Sequence, residues 1–322
     1  MRILLKAVFL TITLASSSFG GEFKQARWLM GTVAEIDLFA DSETKADAAF
    51  EAAFAEMAKI DSLMSNWKAD SEISIVNREG HIRPVKVSPE LMETLEASLK
   101  YSRLSRGAFD VTVGPLVRLW GFMGGEKRVP ALDEIVRALR SVGYEKVLLD
   151  SGSLKVQLAG VGVYVDLGGI AKGYALDRAT LTLKRLGIQR ALLDLGGNIY
   201  ALETRPDGKP WEVGVRNPRD ESRILTVLRL KNQAVATSGD YEKYFTINGK
   251  RYSHIIDPRT GKPAVGCVSA TVVAPTAVES DALSTAVFVM GPKKGFALLK
   301  TIPGVAGIAV SDKMRVSKCN LE

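Results

Sequence analysis

The chain has 322 residues, enough for one large domain or two intimately packed ones around a sizeable core. Its 46% hydrophobic and 25% charged content is ordinary for a soluble globular protein, so composition selects no function. The net charge is +7, of which Arg2 and Lys6 supply +2, leaving +5 scattered over the rest without an aromatic-interleaved basic stripe; this argues against nucleic acid as a partner. With only two histidines, His81 and His254, and no CxxC or Cys/His cluster, zinc chemistry is not expected. Cys267 and Cys319 make no disulfide framework, although an oxidising location would permit one bridge.

Residues 1–20 run from a charged start through the apolar AVFLTITLA to the small SSSFG, the order of a cleaved secretory signal. The apolar run is too short for a membrane-spanning anchor, and no Cys lies near the cut to carry a lipid. The expectation is an exported, periplasmic protein whose mature chain starts between Gly20 and Phe23, with residues 21–322 forming its working part.

Arg27 to Ala40 predicts a strand pair or one long strand, and Thr44 to Leu63 predicts a helix from its apolar spacing. Residues 65–74 form a polar loop carrying Trp67. Ser88 to Arg103 opens Ser-Pro with a Glu at the third position, a helix entry, and Pro130 to Val142 is amphipathic. Strands are predicted near 146–150, 154–158 and 162–166, then a helix over Gly169–Leu186. The second half predicts strands at 190–195, 198–203, 211–216, 223–230, 243–247, 251–256 and 268–274. Helices follow at 277–290 and 292–300, and a last strand at 305–310. Helices and strands mix without a regular βαβα rhythm, so the fold class is α+β, with mixed sheets and packed helices and no firm internal boundary.

Several segments hold chemistry. In VDLGGIAKGYALD (165–177) a strand ends at Asp166, Gly168 and Gly169 turn the chain, and Lys172 sits on the first turns of a helix, an arrangement suited to an anion. Taken alone it fits a strand–turn–helix corner better than a site, and it is neither a dinucleotide fingerprint nor a P-loop. In APTAVESDALSTAVFVMG, Asp281 and Thr285 are i and i+4 on one helix face, a carboxylate and a hydroxyl suited to a hard cation. The same residues also serve as a helix-end charge and a backbone-bonded Thr, and Thr276 with Glu279 fits a capping box. His254 lies between the hairpin INGKRY and the turn DPRTG. MGT at 30–32, SNW at 65–67 and Gly107 to Asp110 are further candidates, Trp67 as a stacking surface.

Taken together these pieces resemble the ApbE family, the FAD:protein FMN transferases. MGT, SNW, GAFDVTVGPLVRLWGF, VDLGGIAKGYALD, LLDLGGNIY, WEVGVRNP, TSGDYEKYF, SHIIDPRTGKPA and SDALSTAVFVMG occur in the family's order across roughly residues 28–291. The resemblance implies a Mg²⁺-dependent enzyme that takes FAD as substrate, attaches FMN to a Thr or Ser of an acceptor protein and releases AMP. Acceptors of the family include subunits of the sodium-translocating NADH:quinone reductase and related electron-transfer complexes. It implies that Met30, Trp67, Ala108, Phe109, Asp110, Asp166, Lys172, His254 and Ile255 contact the cofactor. Asp281, Thr285 and the carbonyl of Gly169 would bind the metal. Trp67 departs from the family's frequent Tyr, and Glu279 and Ser280 replace small apolar residues, placing a further carboxylate near the metal.

For the chemistry, His254 is the candidate general base, because a His titrates near neutrality while Asp281 must stay ionised as a ligand. The competing readings are an FAD pyrophosphatase, in which water replaces the hydroxyl, and a flavin-binding protein without turnover. A redox flavoprotein would carry an NAD-binding fingerprint, which is absent.

Overall fold

A computed structural model describes residues 21–321; the predicted signal segment lies outside them. The chain opens with the hairpin β1 (Gly21–Leu29) and β2 (Thr32–Ala40), so the strand-pair expectation holds, and the pair starts earlier than predicted. Met30 and Gly31 form the turn, both with positive φ (51° and 73°). Then come α1 (Glu43–Met64), α2 (Glu72–Glu79), β3 (Val85–Lys86), α3 (Pro89–Leu104), α4 (Gly114–Leu119) and α5 (Leu132–Leu139). The chain continues with β4 (Val147–Asp150), β5 (Lys155–Leu158), α6 (Ala171–Arg185), β6 (Ala191–Leu195) and β7 (Asn198–Leu202). The remaining strands are β8 (Trp211–Asn217), β9 (Asp220–Leu230), β10 (Gln233–Gly239), β11 (Tyr244–Ile247), β12 (Lys250–Ser253), β13 (Ile256–Asp257), β14 (Lys262–Pro263) and β15 (Cys267–Ala274). The chain ends with α7 (Ala277–Leu299), β16 (Ala306–Ser311) and β17 (Val316–Cys319).

The frame is an eight-stranded antiparallel sheet in the order β1-β2-β6-β7-β10-β15-β16-β17. Helices α1, α6 and α7 cover one face, where Ile36, Leu193, Ala234 and Val272 join Phe50, Leu176 and Val287 in the main core. The β8–β9 hairpin covers part of the other face, packing Trp211, Val213 and Leu228 on Val235, Val273 and Ile308. Every residue of β15 is therefore buried, the mark of a central strand covered on both sides. This is an α+β fold, as the sequence predicts.

The differences have local causes. Residues 162–166 alternate buried Val163 and Val165 with less buried neighbours like a strand but join no sheet, because side chains replace a neighbouring strand. Val165 N donates to Asn77 Oδ1 (2.7 Å), while Val165 O accepts from Asn66 and Asn77 Nδ2 (3.1 and 2.9 Å). The 65–74 loop ends early, since Ser71 caps α2 by accepting from Ser74 N. β10, QAVATSG, has weak strand propensity and is held extended by β7 and β15 on either side. α7 carries the two predicted helices in one run, kinked at Gly291 (φ 73°) before Pro292. Both cysteines are buried and free. They flank β16 from opposite sides, with Cys267 opposite Ser311 and Cys319 opposite Gly307, far outside disulfide reach.

Candidate active site

The site is built where the N-termini of α6 and α7 meet. Asp177 on α6 accepts the first two free amides of α7, Ala277 N at 2.8 Å and Val278 N at 2.9 Å. Asp281 on α7 returns the favour, accepting from Gly173 N of α6 at 2.9 Å. Each helix start thus receives a carboxylate from its neighbour, satisfying orphan N–H groups and complementing the helix dipole. The contact needs glycine: a Cβ at Gly173 would lie 2.3 Å from the carbonyl oxygen of Ala277.

Asp281 is 5% exposed, and burial pushes its carboxyl above the usual range; the Lys172 charge and the Gly173 N–H oppose that shift. Lys172 Nζ lies 3.5 Å from Asn198 Oδ1. Asn198 Nδ2 leans towards the Asp281 carboxylate but completes no hydrogen bond, so it is a buried donor without a partner. One turn along α7, Thr285 Oγ1 faces the Gly169 turn, where a Cβ would come within 3.2 Å of both Thr285 Oγ1 and the Phe109 ring. The role of Gly169 is therefore to leave space at this point. Gly168 and Gly169 both keep negative-φ-compatible backbone, so the turn does not require them for their conformation.

Asp166 accepts from Gly168 N at 2.9 Å; burial raises its carboxyl, against Gly168 N–H and the charges of Lys243 and Arg118. His254 Nδ1 lies 3.0 Å from the carbonyl oxygen of Lys243. A carbonyl only accepts, so Nδ1 carries the hydrogen and Nε2 presents its lone pair. Burial, with Lys243 and Lys172 nearby, lowers the His254 pKa to about 4, so the ring is neutral at neutral pH. Phe122 meets it edge-on, with centroids 6.2 Å apart.

Gly169, Thr285 and Phe109 thus meet beside Asp281 and Lys172, His254 feels the charges of Lys172 and Lys243, and Asp166 shares the field of Lys243. Trp67 is 75% exposed on a loop that Asn66 ties to Val165, beside Asp166. Met30 occupies the β1–β2 turn, which lies against the β6–β7 turn leading to Asn198, since Gly196 N donates to Val33 O at 3.1 Å. Two predicted residues have their polar groups engaged within the protein, and a third is buried in the core. Asp110 caps a short turn, accepting from Thr112 N, Thr112 Oγ1 and Tyr144 N at 2.8, 2.6 and 2.8 Å. Ile255 N donates to Ser253 Oγ and its carbonyl accepts from Ala264 N, while Ala108 is 1% exposed inside the core. Glu279 accepts from Tyr101 Oη of α3 at 3.2 Å. The further carboxylate expected near the metal is therefore turned away from Asp281 and Thr285.

Sequence reasoning missed Asn77, Gly173, Asn198, Ser238 and Ser284. Asn198 and Ser238 lie inside LGGNIY and TSGDYEKYF, but nothing in their spacing marks them as facing the same point.

The ApbE family model matches residues 30–309, from the β1–β2 turn through β16. The chain belongs to the ApbE family. It is 37% identical to the FAD:protein FMN transferase of Haemophilus influenzae over 82% of this chain and 80% of that one. With the Treponema pallidum FAD:protein FMN transferase it shares 34% identity, over 92% of this chain and 86% of that one. Among solved structures, the ApbE protein of Thermotoga maritima superposes with TM-score 0.85 at 36% identity, covering 93% of this chain and 97% of that one.

Among the described residues no group of three or more His, Cys, Asp or Glu is arranged to hold a metal ion. Mg²⁺ takes few protein ligands and keeps water and phosphate oxygens. The donor set fits on three counts. All its members are oxygens, one carboxylate is buried with its charge incompletely compensated, and Gly169 leaves open the space a Cβ would fill.

Proposed function

We propose that this ApbE-family chain transfers FMN from FAD to a Thr or Ser hydroxyl of an acceptor protein and releases AMP. The observation that carries the reading is the meeting of Asp281, Thr285 and Gly169 with Lys172 at the α6–α7 corner. Asp281, Thr285 and the Gly169 carbonyl would hold Mg²⁺, which when bound neutralises the diphosphate and orients it. Lys172 adds a positive charge on the same side, and the unpaired Asn198 Nδ2 is a donor for a phosphate oxygen. Trp67 offers a flat surface for a ring of FAD, and the Met30 turn lies against the β6–β7 turn that leads to Asn198.

The acceptor oxygen forms a bond to the FMN phosphorus, and the bond from that phosphorus to the bridging oxygen breaks, so AMP leaves with that oxygen. The hydroxyl proton passes to His254 Nε2, the ring nitrogen left with a lone pair. The low basicity of His254 reflects burial and two nearby lysines; an anionic diphosphate beside Lys172 offsets part of that field. Positioning contributes more than proton transfer in such a reaction.

The acceptor class follows from the family resemblance: a flavoprotein subunit of the sodium-translocating NADH:quinone reductase or a related electron-transfer complex. The order of residues 1–20 supports export and work in the periplasm. An N-terminus beginning at Met1 in the secreted protein would overturn that part. The central test is mass spectrometry of a candidate acceptor after incubation with the protein, FAD and Mg²⁺. A gain of one FMN on a Thr or Ser is expected. FMN and AMP appearing with an unmodified acceptor would instead establish an FAD pyrophosphatase.

A further inference from the structure

Thr285 is linked to a chain of hydroxyls whose hydrogen-bond directions are fixed by counting protons. Ser284 Oγ lies 2.9 Å from the carbonyl oxygen of Asp281, which can only accept, so Ser284 donates there. A hydroxyl has one proton. At the next link, Ser238 Oγ to Ser284 Oγ at 2.9 Å, the donor is therefore Ser238. At the last link, Ser238 Oγ to Thr285 Oγ1 at 3.2 Å, the donor is then Thr285. A helical Thr commonly gives its proton to the carbonyl four residues back. For Thr285 that is Asp281 O, which already takes Ser284 Oγ and the helical N–H. The Thr285 proton is thus held on the Ser238 side, and the lone pairs of Oγ1 face the Gly169 turn.

Ser238 reaches this point because of its place in the sheet. It follows Ala234 and Ala236 at strand spacing on β10, on the face that packs against α7. Ser284 and Thr285 are successive on α7, so the chain spans two elements and locks their relative position to the metal ligand.

We infer that Ser238 and Ser284 are positioning residues that hold Thr285 Oγ1 with its lone pairs towards the divalent cation, making it a ligand rather than a competing donor. This rests on the proposed metal role of Asp281 and Thr285. Without Ser238, the Thr285 proton is free to swing to the cation side. Without Ser284, Ser238 can turn its own proton onto Thr285 and reverse the chain, although Ser284 itself touches no metal ligand side chain.

The test uses the purified protein saturated with ADP, a diphosphate with no FMN to transfer, and titrates Mn²⁺ while free Mn²⁺ is followed by electron paramagnetic resonance. Asp281→Asn should abolish binding. Ser238→Ala and Ser284→Ala should each weaken it by roughly 3- to 10-fold, the range of one lost hydrogen bond. ADP affinity in EDTA should stay unchanged. In a Thr285→Val background, Ser238→Ala should weaken Mn²⁺ no further, a coupling that a merely structural serine would not show. If Ser238→Ala fails to fold, Ser284→Ala makes the same forecast. Serine variants within twofold of the parent midpoint, or equally weakening with Val at 285, would overturn the hydroxyl chain and leave the metal site standing. No Mn²⁺ binding by the parent, or full binding by Asp281→Asn, would overturn the metal site and this inference with it.

Discussion

Asp281 is a carboxylate placed where its own charge is disfavoured. Burial raises its pKa, and Lys172 and the Gly173 N–H only partly compensate. Replacing it with Asn retains an acceptor for Gly173 N and removes the buried charge. Asp281→Asn should therefore leave the thermal midpoint of the metal-free protein unchanged or slightly higher, while FMN transfer collapses and added Mg²⁺ rescues it only weakly. Thermal unfolding and transfer against Mg²⁺ concentration check both halves; a modest loss of stability with an unshifted Mg²⁺ midpoint would make Asp281 a helix-end charge alone. Trp67 makes the complementary case, a large apolar side chain left 75% exposed on a loop tied to Val165, beside Asp166. Stacking on an aromatic ring is worth about 0.5–1.5 kcal/mol beyond buried area. Trp67→Ala should weaken FAD binding by at least that amount with the fold intact, and calorimetry showing unchanged affinity would remove Trp67 from the site.

At the scale of elements, the site depends on how closely α6 approaches the start of α7. Gly173 permits that approach, since any Cβ there meets the Ala277 carbonyl at 2.3 Å. Gly173→Ala must push the helices apart, at a cost of about 1–3 kcal/mol for overpacking. It should also draw the Gly173 amide away from Asp281, so metal affinity falls along with stability. Thermal unfolding and Mn²⁺ titration on the same samples test this; a full-affinity, fully stable variant would show that the corner is more pliable than its packing indicates. The reciprocal caps from Asp177 and Asp281 anchor each helix start to the other.

For the whole molecule, His254 makes stability depend on pH. Its folded pKa is lowered to about 4 by burial and by Lys243 and Lys172. The unfolded chain, with an ordinary His pKa of about 6.5, takes up a proton first as pH falls. The His254 contribution is thus fully present above pH of about 6.5 and is lost down to about 4, with a slope of up to about 1.4 kcal/mol per pH unit. Asp37 and Asp177, both raised to about 6 mainly by burial, act in the opposite sense. They bind protons more readily when folded and gain stability over part of the same range. The comparison that isolates His254 is therefore the parent against His254→Asn, whose amide can still donate to Lys243 O. Between pH 6.5 and 4 the parent should lose stability relative to the variant; parallel denaturation curves across that range would mean His254 protonates normally in the folded protein.

The long helices, the β1–β2 pair, the kinked end of α7 and the α+β class were legible in the sequence. Apolar spacing, capping residues and Gly/Pro breaks act over a few residues and leave a local record. Asp281 and Thr285 were legible as a pair for the same reason, being one helical turn apart. The strand assigned to 162–166 failed because its alternation records burial and not pairing, and amides from Asn66 and Asn77 stand where a strand would be. β10 went unread because its extended shape is imposed by neighbours distant in the chain. The family resemblance, not spacing, joined Gly169 to Asp281 and Thr285, and only the tertiary structure added Asn198 and Ser238, since nothing in local spacing records a meeting of two turns with a strand and a helix. It also engaged Asp110 and Ile255 within the protein and left Asn198 Nδ2 unpaired, because hydrogen-bond satisfaction depends on all the groups that fold around a residue.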